Sequence, residues 1–167
     1  MLDLETTGLD VAKDRIIEIA LIKITPNGEQ SDYSRRINPT IPISKESAEI
    51  TGITDEMVAN EPTFAQLADE IAAFIGDADL GGYNSNKFDI PVLAEEFLRI
   101  NHAFKINERR FVDVQNIFHK MEQRTLAAAY QFYCKESMEN AHNALYDTKV
   151  TLDVFKAQLE RYPDLAN

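Results

Sequence analysis

The chain has one cysteine, six glycines and six prolines in 167 residues, and cations are scarce beside acids. A lone cysteine, Cys134, forms no internal disulfide, so this is not a small scaffold held by cross-links, and it suits a reducing cytoplasm. The low glycine and proline content excludes collagen-like and low-complexity chains. No uncharged apolar run approaches the roughly 18 residues that a membrane-crossing helix needs, so no membrane partner is expected. The opening Met1-Leu2-Asp3-Leu4-Glu5 has neither the basic nor the apolar stretch of a signal peptide. Lys and Arg number 17 against 28 Asp and Glu, a net charge of −11. Such a surface repels phosphate backbones, which argues against tight, sequence-independent nucleic-acid binding. It leaves room for a protein that meets a polyanion through divalent cations held by carboxylates, because bound cations invert the local field.

What is present is a core. With 44% hydrophobic residues, a chain of this length buries about two-thirds of its unfolded surface and fits a single domain, residues 1–167. Leu2 to Glu5 reads as a strand ending at Thr6-Thr7-Gly8. Arg15 to Ile24 is an Ile-rich strand, and Pro26-Asn27-Gly28 turns it back into Ser31 to Ile37 as a hairpin. Short helical character around Lys45–Glu49 precedes Ile50-Thr51-Gly52-Ile53-Thr54. Thr63 and Gln66 form a capping box, and Phe64, Leu67, Ile71, Phe74 and Ile75 follow at helical spacing. Asp79–Asn84 and Phe111–Val114 read as short strands. Pro91 fits the first turn of a helix with Val92, Leu93, Phe97 and Leu98 inward. Leu126–Tyr133 is helical, and Leu145, Leu152, Phe155 and Leu159 mark a last helix. A hairpin followed by alternating helices and strands predicts an α/β fold of three layers with a mixed sheet.

Three sets of polar residues could carry chemistry. Asp3 and Glu5, two apart on a strand, share one face at a strand end, where α/β proteins usually bind ligands; a solvated strand terminus would look the same. Asp89 opens a helix and would also serve as an ordinary N-cap. His142 and Asp147 converge only if the histidine precedes the last helix and the aspartate lies in its early turns, capped by Asn140 or Asn143; otherwise both are surface residues.

As a set, in this order, they resemble the DEDD superfamily of 3′–5′ exonucleases, in the subgroup whose fifth residue is histidine. Asp3-Leu4-Glu5-Thr6-Thr7-Gly8 is similar to the first motif, Asn84-Ser85-Asn86-Lys87-Phe88-Asp89-Ile90-Pro91 to the second, and His142-Asn143-Ala144-Leu145-Tyr146-Asp147 to the third. The sister subgroup has tyrosine four residues before the last aspartate, where this chain has Asn143. The pattern is most similar to proofreading exonucleases attached to bacterial replicative polymerases. The resemblance implies a ribonuclease H-like three-layer fold with a mixed five-stranded central sheet flanked by helices. It also implies that Asp3, Glu5, Asp89 and Asp147 hold two divalent ions, Mg²⁺ or Mn²⁺, and that His142 is the general base. Leu4, Thr6, Thr7, Gly52, Ile53, Asn84, Phe88 and His142 would contact the 3′ end of a nucleic acid. Single-stranded DNA is favoured, with a polymerase or other replication or repair partner delivering it. An RNA-trimming exonuclease or oligoribonuclease uses the same five residues, and a non-catalytic interaction module on this fold is the rival from another class. Lys87, Arg109, Arg110 and Lys120 are the candidate strand contacts. Tyr83 stands where many relatives carry histidine. The family's first strand normally has several apolar residues before its first aspartate, whereas only Met1 and Leu2 precede Asp3, so the native chain is expected to start upstream.

Overall fold

The structure is a computed structural model that describes residues 1–139 and 143–166. Its elements in order are β1 (Leu2–Thr6), β2 (Ile16–Ile24), β3 (Gln30–Arg36), α1 (Lys45–Thr51), α2 (Asp55–Val58), α3 (Phe64–Ile75), β4 (Leu80–Gly82), α4 (Asp89–Arg99), β5 (Phe111–Asp113), α5 (Val114–Met121), α6 (Leu126–Cys134) and α7 (Ala144–Arg161), with a final 3₁₀ turn at Pro163–Ala166. They form two compact units, Met1–Asn116 and Ile117–Asn167.

In the first unit β1, β2 and β3 form an antiparallel sheet in that spatial order. The hairpin closes where expected, with Thr25 N–H donating to Glu29 O at 2.9 Å. The first half of β2 is buried (Ile16, Ile17 and Ile19 fully), its far end at Ile22 and Ile24 is exposed, and β3 shows mostly charged and polar residues at the sheet edge, which discourages further pairing. β4 and β5 form a separate parallel pair. All five expected strands are present, but they pair as a three-stranded antiparallel and a two-stranded parallel sheet rather than as one continuous ladder. β4 has only three residues and touches the start of β1. A Cβ on Gly82 would lie 2.7 Å from the Leu2 carbonyl oxygen, so glycine is what permits that approach.

α3 and α4 cover the sheet through one continuous core of Leu2, Leu4, Ile19, Phe64, Ile71, Leu93 and Phe97 with their neighbours. Phe97 meets the Phe64 ring edge-on at 5.0 Å and stacks on Phe104 at 4.2 Å. The α3 capping box is present, with Thr63 N–H donating to Gln66 Oε1 at 2.8 Å. α4 departs from expectation at Leu98, which is 65% exposed. The buried stripe runs through Ile90, Val92, Leu93, Glu96 and Phe97, so a glutamate takes the inward position and Leu98 rotates out. A smaller cluster joins Ile17, Ile43, Ile53 and Val58.

The second unit is built on α6 and α7, which pack through Tyr130, Val150 and Val154. The apolar residues expected to mark the inner face of α7 do not: Leu145, Leu152 and Phe155 are at least half exposed, and the valines between them are buried instead. Among the described residues no helix is long and apolar enough to cross a membrane.

Candidate active site

The first motif behaves as its spacing requires. Along β1 the side chains of Leu2, Leu4 and Thr6 are buried, which turns Asp3 and Glu5 to the opposite face together. β1 pairs with β2 through one edge. On its other edge the Leu4 N–H donates to Asp89 Oδ1 at 3.1 Å. Asp89 is the first residue of α4 rather than its cap; Phe88 occupies the cap position and makes no side-chain cap bond. The Asp89 side chain is buried, and it is tied to the strand that carries the other two carboxylates.

The three acids feel one another. Burial pushes the Glu5 carboxyl above its ordinary range, and the charges of Asp3, Glu18 and Asp89 push it the same way. Burial likewise raises the Asp89 carboxyl; its own and the Leu4 backbone N–H groups pull it back, while Asp3 and Asp113 add to the rise. None of the three forms an ion pair among the described residues. Among those residues no group of three or more His, Cys, Asp or Glu side chains is drawn together tightly enough to hold a metal ion. The donor set on this face is nonetheless all carboxylate oxygen, the chemistry that suits Mg²⁺ or Mn²⁺.

Of these acids Glu5 lines a cleft of about 360 Å³, together with Leu4, Thr6, Thr7, Gly8, Leu9, Asp14, Ser44, Glu46, Ser47, Ile50 and Phe88. Its walls are fixed by hydrogen bonds. Thr7 Oγ1 donates to Asp14 Oδ1 at 2.7 Å and accepts from Arg15 N–H at 3.1 Å, while Asp10 N–H donates to Asp14 Oδ2 at 2.7 Å. Ser47 Oγ donates to the Thr6 carbonyl, and Ser44 N–H donates to that of Thr7 at 3.1 Å. The loop leaving β1 is thereby attached to α1. Of the candidate substrate contacts, Leu4, Thr6, Thr7 and Phe88 line the cleft. Gly52 and Ile53 do not: Gly52 caps α1 in the left-handed conformation (φ 71°), and Ile53 is buried in the small core. The apolar side chain that α1 offers to the cleft is Ile50, 77% exposed.

Asn84, also a candidate contact, holds a left-handed backbone (φ 59°), and its N–H donates to Asp113 Oδ1 at 3.0 Å. Asp113 was not picked out in the sequence, although an aspartate closing an apolar pair just before a helix was a usable signal. Two of the candidate strand contacts are occupied elsewhere. Arg109 donates to the Ala78 and Gly76 carbonyls and lies 4.6 Å over Phe104, and Arg110 pairs with Asp79 at 2.7 Å. Lys87 is exposed on the β4–α4 loop.

The third motif belongs to the second unit. Asn143 is the N-cap of α7: its side chain accepts from Tyr146 N–H at 3.1 Å, and Asp147 follows within the first turns, the position convergence demanded. Asn140 and His142 lie outside the described residues.

Comparison with known proteins gives the family and the fold. The RNase_T exonuclease family matches residues 1–155. Among similar sequences are the PolC-type DNA polymerases III of Halalkalibacterium halodurans, 32% identical over 89% of this chain and 10% of that protein, and of Thermotoga maritima, 33% identical over 93% and 11%. The chain thus spans about a tenth of the length of these curated relatives. Among solved structures, an E. coli exonuclease I in complex with a dT13 oligonucleotide aligns with a TM-score of 0.65 at 20% identity, over 98% of this chain and 41% of that one. An exonuclease X in complex with 5′-overhanging duplex DNA aligns at 0.55 and 23%, over 97% and 91%. These likenesses show the ribonuclease H-like α/β fold. With the family matched over nearly its whole length, the chain belongs to the RNase_T exonucleases, of the DEDD type whose third motif carries histidine.

Proposed function

We propose that residues 1–167 act as one exonuclease domain that removes nucleoside 5′-monophosphates from the 3′ end of single-stranded DNA, in proofreading or repair. The observation that carries this reading is the arrangement of Asp3, Glu5 and Asp89. Burial and the neighbouring acids raise the Glu5 and Asp89 carboxyls, none of the three has a cationic partner among the described residues, and Glu5 lines a cleft with locked walls. Structural acids are paired; a set left mutually repelling fits a place where cations bind. Asp3, Glu5 and Asp89, joined by Asp147 from the third motif, are the proposed ligands. Two bound divalent ions would supply charge relief on the phosphoryl oxygens and an activated water.

The chain's own residues do the rest. His142 accepts the proton of the attacking water, a role that suits an imidazole near neutral pH. Leu4, Thr6, Thr7 and Phe88 hold the terminal nucleotide in the cleft. Ile50 takes the base-packing role expected of Gly52 and Ile53, and Asn84 reaches toward the adjacent phosphate in this reading. DNA is favoured over RNA because the relatives at 32 and 33% identity are DNA polymerases. A polymerase-type partner that delivers the strand also reconciles nucleic-acid chemistry with a net charge of −11, in a cytoplasmic setting.

The test is digestion of matched 3′-labelled single-stranded DNA and RNA oligomers with Mg²⁺ or Mn²⁺, beside an EDTA control and Asp3→Ala. Stepwise, metal-dependent loss from the 3′ end, faster on DNA and absent in the variant, is the expected result. Cleavage that survives EDTA or Asp3→Ala overturns it.

A further inference from the structure

Asp113 closes β5 with a buried side chain that faces no cation among the described residues. It is satisfied entirely by backbone. Oδ1 accepts from Asn84 N–H at 3.0 Å, Gln115 N–H at 3.0 Å and Asn116 N–H at 3.3 Å, and Oδ2 accepts from Asn86 N–H at 3.1 Å. Burial disfavours the charge, yet the N–H groups of Asn86, Asn116, Asn84 and Gln115 outweigh it and keep the carboxyl below the ordinary aspartate range. Two of the four donors open α5. The other two belong to the turn 84–88 that leads into Asp89.

That turn has little else to define it. Asn84 sits in the left-handed region, Lys87 N–H closes back on Asn84 O at 3.2 Å, and Ser85 is fully buried with its carbonyl accepting Ile90 N–H at 2.9 Å. A continuous chain of bonds therefore runs from the Asp113 carboxylate through the Asn84 and Asn86 amides, the Ser85 carbonyl and Ile90 N–H to Asp89, and from Asp89 Oδ1 to Leu4 N–H on β1.

Resting on the exonuclease reading above, we propose that Asp113 is a positioning residue for the second motif: its carboxylate sets the 84–88 turn and thereby aims Asp89 at the Asp3–Glu5 face. It touches neither substrate nor metal, and its effect reaches the reaction through Asp89. A purely architectural Asp113 would lower stability and nothing more. Positioning partners outside the ligand set shift metal affinity or activity by roughly 10–100-fold when altered.

The experiment uses the full 167-residue chain and two variants. Asp113→Asn keeps the shape, but its amide turns two donors toward backbone N–H groups. Asp113→Glu keeps the charge and moves the acceptor by one methylene. Each is read by cooperative thermal melting, by Mn²⁺ affinity without nucleic acid (electron paramagnetic resonance), and by kcat and KM on a 3′-labelled DNA oligomer. For Asp113→Asn, Mn²⁺ binding about tenfold weaker and kcat about 10–100-fold lower are expected, with KM for the oligomer within about twofold. Asp113→Glu shifts the same way by about threefold, and carries the test alone if Asp113→Asn does not melt cooperatively. Mn²⁺ affinity and kcat within about twofold of an active wild type, whatever the melting temperature, overturn the inference alone. A wild type that neither binds Mn²⁺ nor cleaves overturns the exonuclease reading and this inference with it.

Discussion

Glu96 is fully buried seven residues after Asp89 on α4, two turns along the same face, and it decides how firmly that helix is seated. Its carboxylate accepts Arg15 Nε at 2.8 Å and the Arg15 terminal nitrogen at 2.9 Å, a bidentate pair. It also accepts Ile16 N–H at 3.1 Å and lies 3.6 Å from Arg99. Arg99 in turn donates to the Ala12 and Asp14 carbonyls, so the β1–β2 loop, β2 and α4 share one junction. Glu96→Ala removes the acceptor and leaves two kinds of orphan. Breaking a buried ion pair costs about 3–5 kcal/mol, and an unpaired buried N–H such as that of Ile16 about 1–3. The two overlap. Arg15 also retains 19% of its side-chain exposure and a 3.4 Å contact to Thr40, so part of its charge can turn to water. A net loss of about 3 kcal/mol follows. For a chain of this size that is roughly 6–12 °C in melting temperature.

Urea unfolding followed by far-ultraviolet circular dichroism measures the loss, and the cycle of Arg15→Ala, Glu96→Ala and the double variant isolates the pair. A coupling of at least about 1.5 kcal/mol is expected, because the second deletion removes a group already stranded by the first. Replacing both partners at once, as Arg15→Met with Glu96→Leu, should recover most of the loss, since a well-packed apolar pair needs no desolvation of charge. Single losses below about 1 kcal/mol, or a cycle additive to within about 0.5, would refute the reasoning.

Asp3→Asn should abolish metal-dependent cleavage and yet raise the melting temperature of the metal-free protein by about 1–3 °C, because it removes the Asp3 charge that adds to burial in raising the Glu5 and Asp89 carboxyls. The sign with pH follows. A folded-state carboxyl held above its ordinary range makes the folded chain bind more protons, so these two groups destabilise at neutral pH and cease to do so as pH falls through their raised range. The gap between Asp3→Asn and wild type should therefore close on acidification; a gap that widens contradicts the assignment. Saturating Mg²⁺ at about a hundred times its dissociation constant should stabilise wild type by about 2.7 kcal/mol, and differential scanning fluorimetry should show that shift lost in Asp89→Asn. Asn143→Ala deletes the cap that receives Tyr146 N–H and should destabilise the second unit by about 1 kcal/mol, read as earlier loss of helical signal.

The features that were legible in the chain are the local ones. The Asn27-Gly28 turn, the Thr63–Gln66 box, Pro91 in the first turn of α4 and the alternation that pairs Asp3 with Glu5 each depend on residues a few positions apart, and each appears in the structure. What was missed depends on distant partners. Arg15 and Glu96 are 81 positions apart, so neither announces the other. Asp113 bonds the first amides of α5 locally, but its link to the turn before Asp89 spans 27 to 29 positions, to Asn86 and Asn84. Ile53 read as a nucleotide contact from its motif, but Gly52 turns the chain inward there and the neighbouring Ile50 stays outside. The face of α7 was misjudged because apolar residues stand on more than one side of it, and periodicity cannot say which side is covered.

With 28 acidic residues, this chain cannot be sorted into structural and functional carboxylates by composition. Partnership does sort them. Glu96 and Asp113 are both buried and both fully answered, one by guanidinium groups and a backbone N–H, the other by four backbone N–H groups. Asp3, Glu5 and Asp89 are held on β1 and α4 with comparable care, Asp89 by the Leu4 N–H, yet no cationic side chain among the described residues pairs with them and the charges that Glu5 and Asp89 feel are acidic. Folding alone gives no reason to keep that arrangement, since Asn at any of the three would reduce the repulsion. The junctions at Glu96 and Asp113 stabilise the two ends of the same helix–strand contact that the acidic set strains. Stability gathered at the paired acids thus offsets strain concentrated at the unpaired ones, and a divalent cation is the partner that would relieve it.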